Sequence, residues 1–320
     1  MKTYLAAVDL GSNSFRASVG EIQPGVQPPT VIAVERLKET VRLAAGLDIA
    51  GNLDEAAIQR GEVVLTAFRN TFSQYPLAAT RAVATNTLRL AHNAGAVKKR
   101  FELALGMPIQ IISGEEEAQL IYQGISSQLP VNNERRLMID IGGSSTEIIV
   151  GQGQDVLALA SLPIGCLTFT KDFFPMGSTI SEQAMDAAIS MAYKEIGTVA
   201  PRFKTHGWQS CYGSSGTAKG LVAVLKGSGY ATMGITRIGL EQLKQRLIHD
   251  GSVKLDQLPG LKKDRALVLA GGLSIMLAAF YALDIHGPMV AGEGALRAGV
   301  LAELRREYYA NADSNAWIPD

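Results

Sequence analysis

The chain has 320 residues, enough for about two domains with sizeable cores. Lys plus Arg and Asp plus Glu both number 30, so the net charge is zero. That excludes a general nucleic-acid or membrane-surface binder, which would carry a basic excess.

Two cysteines, Cys166 and Cys211, lack metal-ligand spacing and read as buried free thiols of a reducing compartment. The N-terminal apolar run breaks at Asp9, too soon for a signal peptide. The most apolar stretch, residues 266–283, holds Gly271, Gly272 and Ser274 and reads as a buried helix, although its length approaches that of a membrane span. The expectation is a soluble cytoplasmic protein.

Residues 4–8 and 15–21 read as a first hairpin around Asp9, Gly11, Ser12, Asn13 and Ser14. Pro24, Pro28 and Pro29 mark a loop, and residues 30–37 a third strand. Residues 38–52 look irregular. Asn52 can cap a helix over 53–75, where Ala57, Val64, Leu65 and Phe68 recur at helical spacing, and Pro76 ends it. Residues 77–85 suit a strand. Asn86 then sits where strand gives way to helix, with Arg89 in the first turn. A cation there runs against the helix macrodipole. Arg89 therefore reads either as an ordinary surface residue or as a guanidinium aimed at an anion.

Residues 108–112 form another strand. Ser113, Gly114, Glu115, Glu116, Glu117 and Ala118 open a helix running to about Gln128. Ser113 and Glu116 fit a capping box, and acids in a first turn suit the dipole, so Glu115 and Glu116 read as structural. The polar segment 130–136 reads as a connection between domains at 1–128 and 129–320.

Residues 137–150 repeat the opening grammar: an apolar run carrying Asp140, a turn of Gly142, Gly143, Ser144 and Ser145, then a second run carrying Glu147. Glycines allow close approach and positive φ, while successive N–H groups and hydroxyls can line an anion nest. Asp140 and Glu147 could hold a divalent metal, which prefers oxygen ligands. Asp9 aligns on Asp140, Gly11 on Gly142, Ser12 on Gly143 and Ser14 on Ser145, 131 residues apart. Two such turns suggest a duplicated domain with a phosphate clamped between the halves.

Residues 155–162 pair as a strand, and 162–166 turn the chain toward 168–174. Ser181 caps a long helix, and 210–212 form a short strand. Gly213, Ser214, Ser215, Gly216 and Thr217 follow, leading into a helix. This reads equally as a phosphate or nucleotide turn and as a plain tight turn, and lacks the P-loop Lys-Ser/Thr pair. Residues 241–250 form a short polar helix, with His249 and Asp250 on the surface. Residues 264–283 form one apolar helix, 288–291 a last strand, and 295–308 a terminal helix with Arg297 near its start and Arg305 and Arg306 near its end.

Taken together, these blocks resemble the exopolyphosphatase / guanosine pentaphosphate phosphatase family, of the actin, sugar kinase and heat-shock ATPase superfamily. The matching blocks are Val8 to Phe15, Ala84 to Arg89, Ile112 to Ala118, Ile139 to Glu147, Leu162 to Gly165, Ser215 to Thr217 and Leu258 to Gly260, in the family's order. The resemblance implies an α/β fold of two duplicated actin-like (ribonuclease H-like) domains with an interdomain cleft, the terminal helix packing back on the first. It implies Glu117 as general base, Arg89 on the phosphates, and Asp140 and Glu147 supporting Mg²⁺ and the attacking water. Phosphate binding falls to Asp9, Gly11, Ser12, Asn13, Ser14, Gly142, Gly143, Ser144, Ser145, Gly213, Ser215 and Gly216.

Two departures stand out. Gly142, Gly143 and Ser144 replace a triple Gly, and residues 292–299 are looser than the family's Gly-Leu-Arg-Glu-Gly pattern, which leaves the role of Arg297 open. The chain reads as a short, two-domain member.

The implied activity is release of terminal orthophosphate from inorganic polyphosphate, with Lys219 and Arg297 as guesses for a cationic track. Guanosine pentaphosphate hydrolysis, a non-catalytic polyphosphate- or nucleotide-binding regulator and a kinase are the alternatives. A second copy of the chain is the expected protein partner; nucleic acid and membranes are not expected partners.

Overall fold

A computed structural model describes residues 2–23 and 30–315, with side chains through 310. The loop marked by Pro24, Pro28 and Pro29 lies outside the described residues. The chain forms two compact units, Met1–Leu129 with Gly294–Asp320, and Pro130–Glu293.

The first unit begins with β1 (Tyr4–Leu10), β2 (Ser14–Gln23) and β3 (Thr30–Thr40). There follow α1 (Glu55–Phe72), β4 (Leu77–Ala84), α2 (Asn86–Leu90), α3 (Ala94–Leu105), β5 (Ile109–Ile111) and α4 (Gly114–Ser126). The sheet order is β3-β2-β1-β4-β5. β1, β2 and β3 are antiparallel neighbours, while β4 and β5 run parallel to β1. Residues of α1 and α3 (Leu65, Phe68, Phe101, Leu105) bury Val8, Leu10, Phe15 and Ala17 on one face.

Two local expectations change. The cap of α1 is Asp54, whose carboxylate accepts from Ala57 N at 2.6 Å, while Asn52 N donates to Asp48 Oδ1. The segment after residue 37 stays extended to Thr40 before a 3₁₀ turn at Leu43–Gly46.

The second unit repeats the plan. It contains β6 (Arg135–Ile141), β7 (Thr146–Gln152), β8 (Asp155–Leu162), α5 (Cys166–Phe173), α6 (Glu182–Gly197), α7 (Ala200–His206) and β9 (Ser210–Ser214). α8 (Ser215–Gly227), α9 (Arg237–Asp250), α10 (Lys263–Ala266), α11 (Leu269–Ala282) and β10 (Met289–Ala291) complete it. Its sheet order, β10-β9-β6-β7-β8, matches the first sheet strand for strand, with the same parallel and antiparallel senses. This is the duplication that the paired turns foretold, in ribonuclease H-like form.

The apolar stretch 264–283 is two helices, broken at Leu267 and Val268. Only α11 is deeply buried, as the reading of a core helix requires. Gly272 brings it against Thr217, whose Cγ2 would lie 2.5 Å from an added Cβ. No helix among the described residues is long and apolar enough to cross a membrane. Both cysteines are buried free thiols, and burial pushes Cys211 up to about 12. Residues 130–133 before β6 are exposed, but the polar stretch ends inside the strand, where Arg136 is 1% exposed and donates to Pro130 O at 2.7 Å.

The last helix, α12 (Ala295–Asn315), belongs to the first unit and packs along α4 and over β1, β2 and β4. Because it runs to Asn315, Arg305 and Arg306 lie mid-helix rather than at its end. The crossing with α4 is a glycine contact. A Cβ on Gly299 would sit 2.6 Å from Leu120 C, and one on Gly124 2.7 Å from Gly299 N. Overpacked positions cost about 1–3 kcal/mol or more. Gly299→Ala is therefore expected to destabilise the protein by about 3 kcal/mol in urea unfolding. Gly95→Ala on α3, where an added Cβ meets nothing within 4 Å, should shift stability by less than about 1 kcal/mol.

Candidate active site

The expected residues fall into two groups, one in each unit. In the second unit, antiparallel pairing sets Asp140 opposite Glu147. β9 brings Ser214 opposite Asp140, and β8 brings Ser161 opposite Glu147. Residues that face each other across strands share a face. Ser161, Glu147, Asp140 and Ser214 thus form one polar row across four strands. Each terminal serine donates inward, Ser161 Oγ to Glu147 Oε1 at 2.8 Å and Ser214 Oγ to Asp140 Oδ2. Both carboxylates are buried, Asp140 at 7% exposure and Glu147 at 1%.

The turn beyond Asp140 is held from several sides. Gly142 N donates to Ser145 O at 2.8 Å. The first amides of α5 close on its carbonyls: Cys166 N reaches Gly142 O at 2.9 Å and Leu167 N reaches Gly143 O at 2.8 Å. A side chain on Gly165 would collide with Gly143 and the Ser144 amide, so the Leu162–Gly165 block buttresses the turn. Ser144 and Ser145 are both buried.

Gly213 to Thr217 clasp the end of β6. The hydroxyls of Ser215 and Thr217 each donate to Ile141 O at 2.8 Å, so they shape the turn instead of facing outward. Ser215 holds φ at +72°, a left-handed conformation uncommon for a non-glycine residue and often found at functional turns. Arg265 was missed by the sequence reading. The residue is 9% exposed, and an added Cβ on Gly216 would run into its guanidinium. Its one signal was a cation just ahead of an apolar run. Lys219, by contrast, is exposed and 4.0 Å from Glu293.

In the first unit the homologous turn has the same construction. An added Cβ on Gly11 would lie 3.1 Å from Ser14 O, and one on Gly142 3.1 Å from Ser145 O. Neither glycine adopts the left-handed conformation allowed for in the sequence reading; what they supply is space. Asn13 O accepts from Val41 N and Arg42 N, and Ser12 O from Ala44 N, which ties the turn to the segment after β3. Ser14 Oγ is buried and has no hydrogen-bond partner among the described residues.

Nearby in chain order, Arg89 on α2 reaches toward α4. It donates to Ile112 O at 2.8 Å and Asn86 Oδ1 at 3.2 Å, and lies 3.5 Å from Glu117 Oε2. Its side chain is one quarter exposed, and that of Glu117 only 9%. Of the three acids opening α4, Glu116 meets Arg81 at 2.7 Å, and Ser113 Oγ caps the helix through Glu116 N at 3.0 Å. Glu117 alone of the three is buried.

Among the described residues, no group of three or more His, Cys, Asp or Glu could hold a metal ion. Asp140 and Glu147 nonetheless fit one hard cation. Mg²⁺ is commonly held by one or two carboxylates with water and substrate oxygens completing its shell, and two facing carboxylates repel until a cation lies between them.

Two sheets of ribonuclease H-like order, each with an acidic strand end and a glycine turn, define a duplicated actin-like fold. The chain belongs to the Ppx/GppA phosphatase family, whose model matches residues 19–307. Membership implies a hydrolase acting on phosphoanhydrides. The fold is shared with the Aquifex aeolicus member of that family (23% identity, TM-score 0.78, 96% of this chain and 99% of that one). It is shared also with an exopolyphosphatase-like protein (21%, 0.83, 96% and 99%) and with an exopolyphosphatase from Cytophaga hutchinsonii (19%, 0.82, 95% and 98%).

Proposed function

We propose that the protein is a Mg²⁺-dependent exopolyphosphatase that releases terminal orthophosphate from inorganic polyphosphate. The observation that best supports this reading is the buried Asp140–Glu147 pair, oriented by Ser214 and Ser161, in a chain of a phosphatase family.

In this reading Glu117 takes the proton of the attacking water. Arg89 stands 3.5 Å from Glu117 Oε2 and, with donors left beyond Ile112 and Asn86, meets phosphate oxygens. Asp140 and Glu147 would hold the metal, which when bound neutralises developing phosphate charge. The backbone amides of the two glycine turns orient phosphoryl oxygens. Phosphoryl transfer needs little more than positioning and electrostatic stabilisation of this kind.

The test is orthophosphate release by the purified protein from long-chain polyphosphate, tripolyphosphate and guanosine pentaphosphate with Mg²⁺. Turnover of polyphosphate is expected. Release from guanosine pentaphosphate alone would keep the chemistry and change the substrate, and no release from any would overturn the reading.

A further inference from the structure

Glu117 stands at the weakly packed end of its helix. None of Gly114, Glu115 and Glu116 is buried, and the apolar packing of α4 begins at Ala118 and continues through Leu120, Ile121 and Ile125. α12 crosses α4 further along, at Leu120 and Gly124. Helix ends that packing does not hold fray and open first.

Arg81 reaches that first turn from the sheet. It lies on β4 opposite Ala7. Its strand neighbour Ala82 belongs to the core under α1 and α3, so Arg81 faces the other way, toward α4 and α12. Its Nη2 donates to Glu116 Oε1 at 2.7 Å and to Gln110 Oε1 at 2.9 Å, and its Nε to the same Gln110 oxygen at 3.3 Å. Its Nη1 donates to Glu303 Oε2 of α12. The planar fork therefore joins β5, α4 and α12 through all three of its nitrogens. Gln110 Nε2 also donates to Glu116 Oε1, at 3.4 Å, so the acid beside Glu117 is held twice.

Ion pairs as exposed as these add little to stability, and α4 has its Ser113 cap and apolar anchors without them. What the fork sets is geometry: the roll and height of the first turn of α4 against the sheet. Glu117 is the next residue, and its carboxylate meets Arg89, itself tied to Ile112 O and Asn86 Oδ1. A shift of the turn would part the two.

We propose that Arg81 is a positioning residue: held by Glu303 of α12, it fixes Glu116 and so keeps Glu117 in place beside Arg89. The proposal rests on the hydrolase reading with Glu117 as base. A misplacement of roughly 1 Å can cost about 100-fold in rate, so a small movement of this turn would register.

The decisive variant is Arg81→Met, which keeps the apolar stem and removes the fork. For long-chain polyphosphate kcat should fall about 10–100-fold while KM changes by less than about threefold. The loss should disappear in a Glu117→Gln background, where no base is left to position. Arg100→Met is the control: Arg100 forks Glu55 and Glu62 in the same way on the α1–α3 side, and its loss should leave kcat unchanged. A kcat for Arg81→Met within about threefold of wild type, or an equal loss in the Glu117→Gln background, would overturn the proposal. If the wild type released no phosphate, or Glu117→Gln released it normally, the hydrolase reading with this base would fail separately, and amide hydrogen exchange would decide the positioning. Arg81→Met should then speed exchange at residues 117 and 118 by at least about tenfold and leave residues 121–125 unchanged. Unchanged exchange at the first turn, or the same acceleration along all of α4, would overturn it.

Discussion

Glu117→Gln is expected to lower orthophosphate release by about 10³–10⁴-fold, the upper part of the range for a lost general base, while the protein melts as wild type does. The amide keeps the size of the carboxylate and cannot accept the proton. The fold should tolerate it. The cap of α4 is Ser113 with Glu116 N, and the helix is anchored by Leu120, Ile121 and Ile125, none of which the change touches. The ion pair that the amide removes, between Arg89 and Glu117, is long at 3.5 Å, and Arg89 keeps Ile112 O and Asn86. Release within tenfold of wild type would remove Glu117 from the base role. Loss of activity together with a lowered melting temperature would make the residue structural.

Asp140→Asn is the second large effect. It removes one of two facing carboxylates and keeps an acceptor for Ser214. The half-saturating Mg²⁺ concentration for phosphate release is expected to rise by more than the 10–100-fold typical of lost supporting partners of a metal site. A readout independent of turnover follows from mass action: a cation that binds only the folded state raises the melting temperature. Mg²⁺ should therefore stabilise wild type and do so less for Asp140→Asn. Without Mg²⁺ the variant should be at least as stable as wild type, because a like-charge pair has gone. An unchanged Mg²⁺ requirement and unchanged thermal shift would move the metal elsewhere.

Much of this architecture could be read along the chain because the information is local. A strand, a glycine–serine turn and a second strand occupy about fourteen residues at 137–150, and the same grammar recurs at 7–19. The offset of 131 that aligns Asp9 on Asp140 carries into the sheets, where Asp9 faces Arg16 as Asp140 faces Glu147. Information carried by strand pairing was out of reach. Ser161 and Ser214 stand 14 and 74 residues from the carboxylates they serve, and only the sheet register brings them into one row.

Local rivalry explains other differences. Asn52 and Asp54 are both good caps by type, but it is the Asp54 side chain that accepts from a helix amide, Ala57 N, while the Asn52 amide itself donates to Asp48 Oδ1. Apolar content alone could not show that residues 264–283 break at Leu267 and Val268, since both residues at the break are themselves apolar. Arg265 was hidden for the same reason, absorbed into the start of a helix that begins after it. Gly213 to Thr217 reads two ways in sequence because a hydroxyl's direction is not a property of its sequence. Here those of Ser215 and Thr217 turn back onto Ile141.

The most direct test is the release assay run in ¹⁸O-enriched water with Mg²⁺ and long-chain polyphosphate. Hydrolysis by a water primed at Glu117 requires each orthophosphate released to carry one solvent oxygen, with chains shortening from their ends. Absence of orthophosphate, or transfer of the phosphoryl group to a nucleoside diphosphate without solvent label, would contradict it.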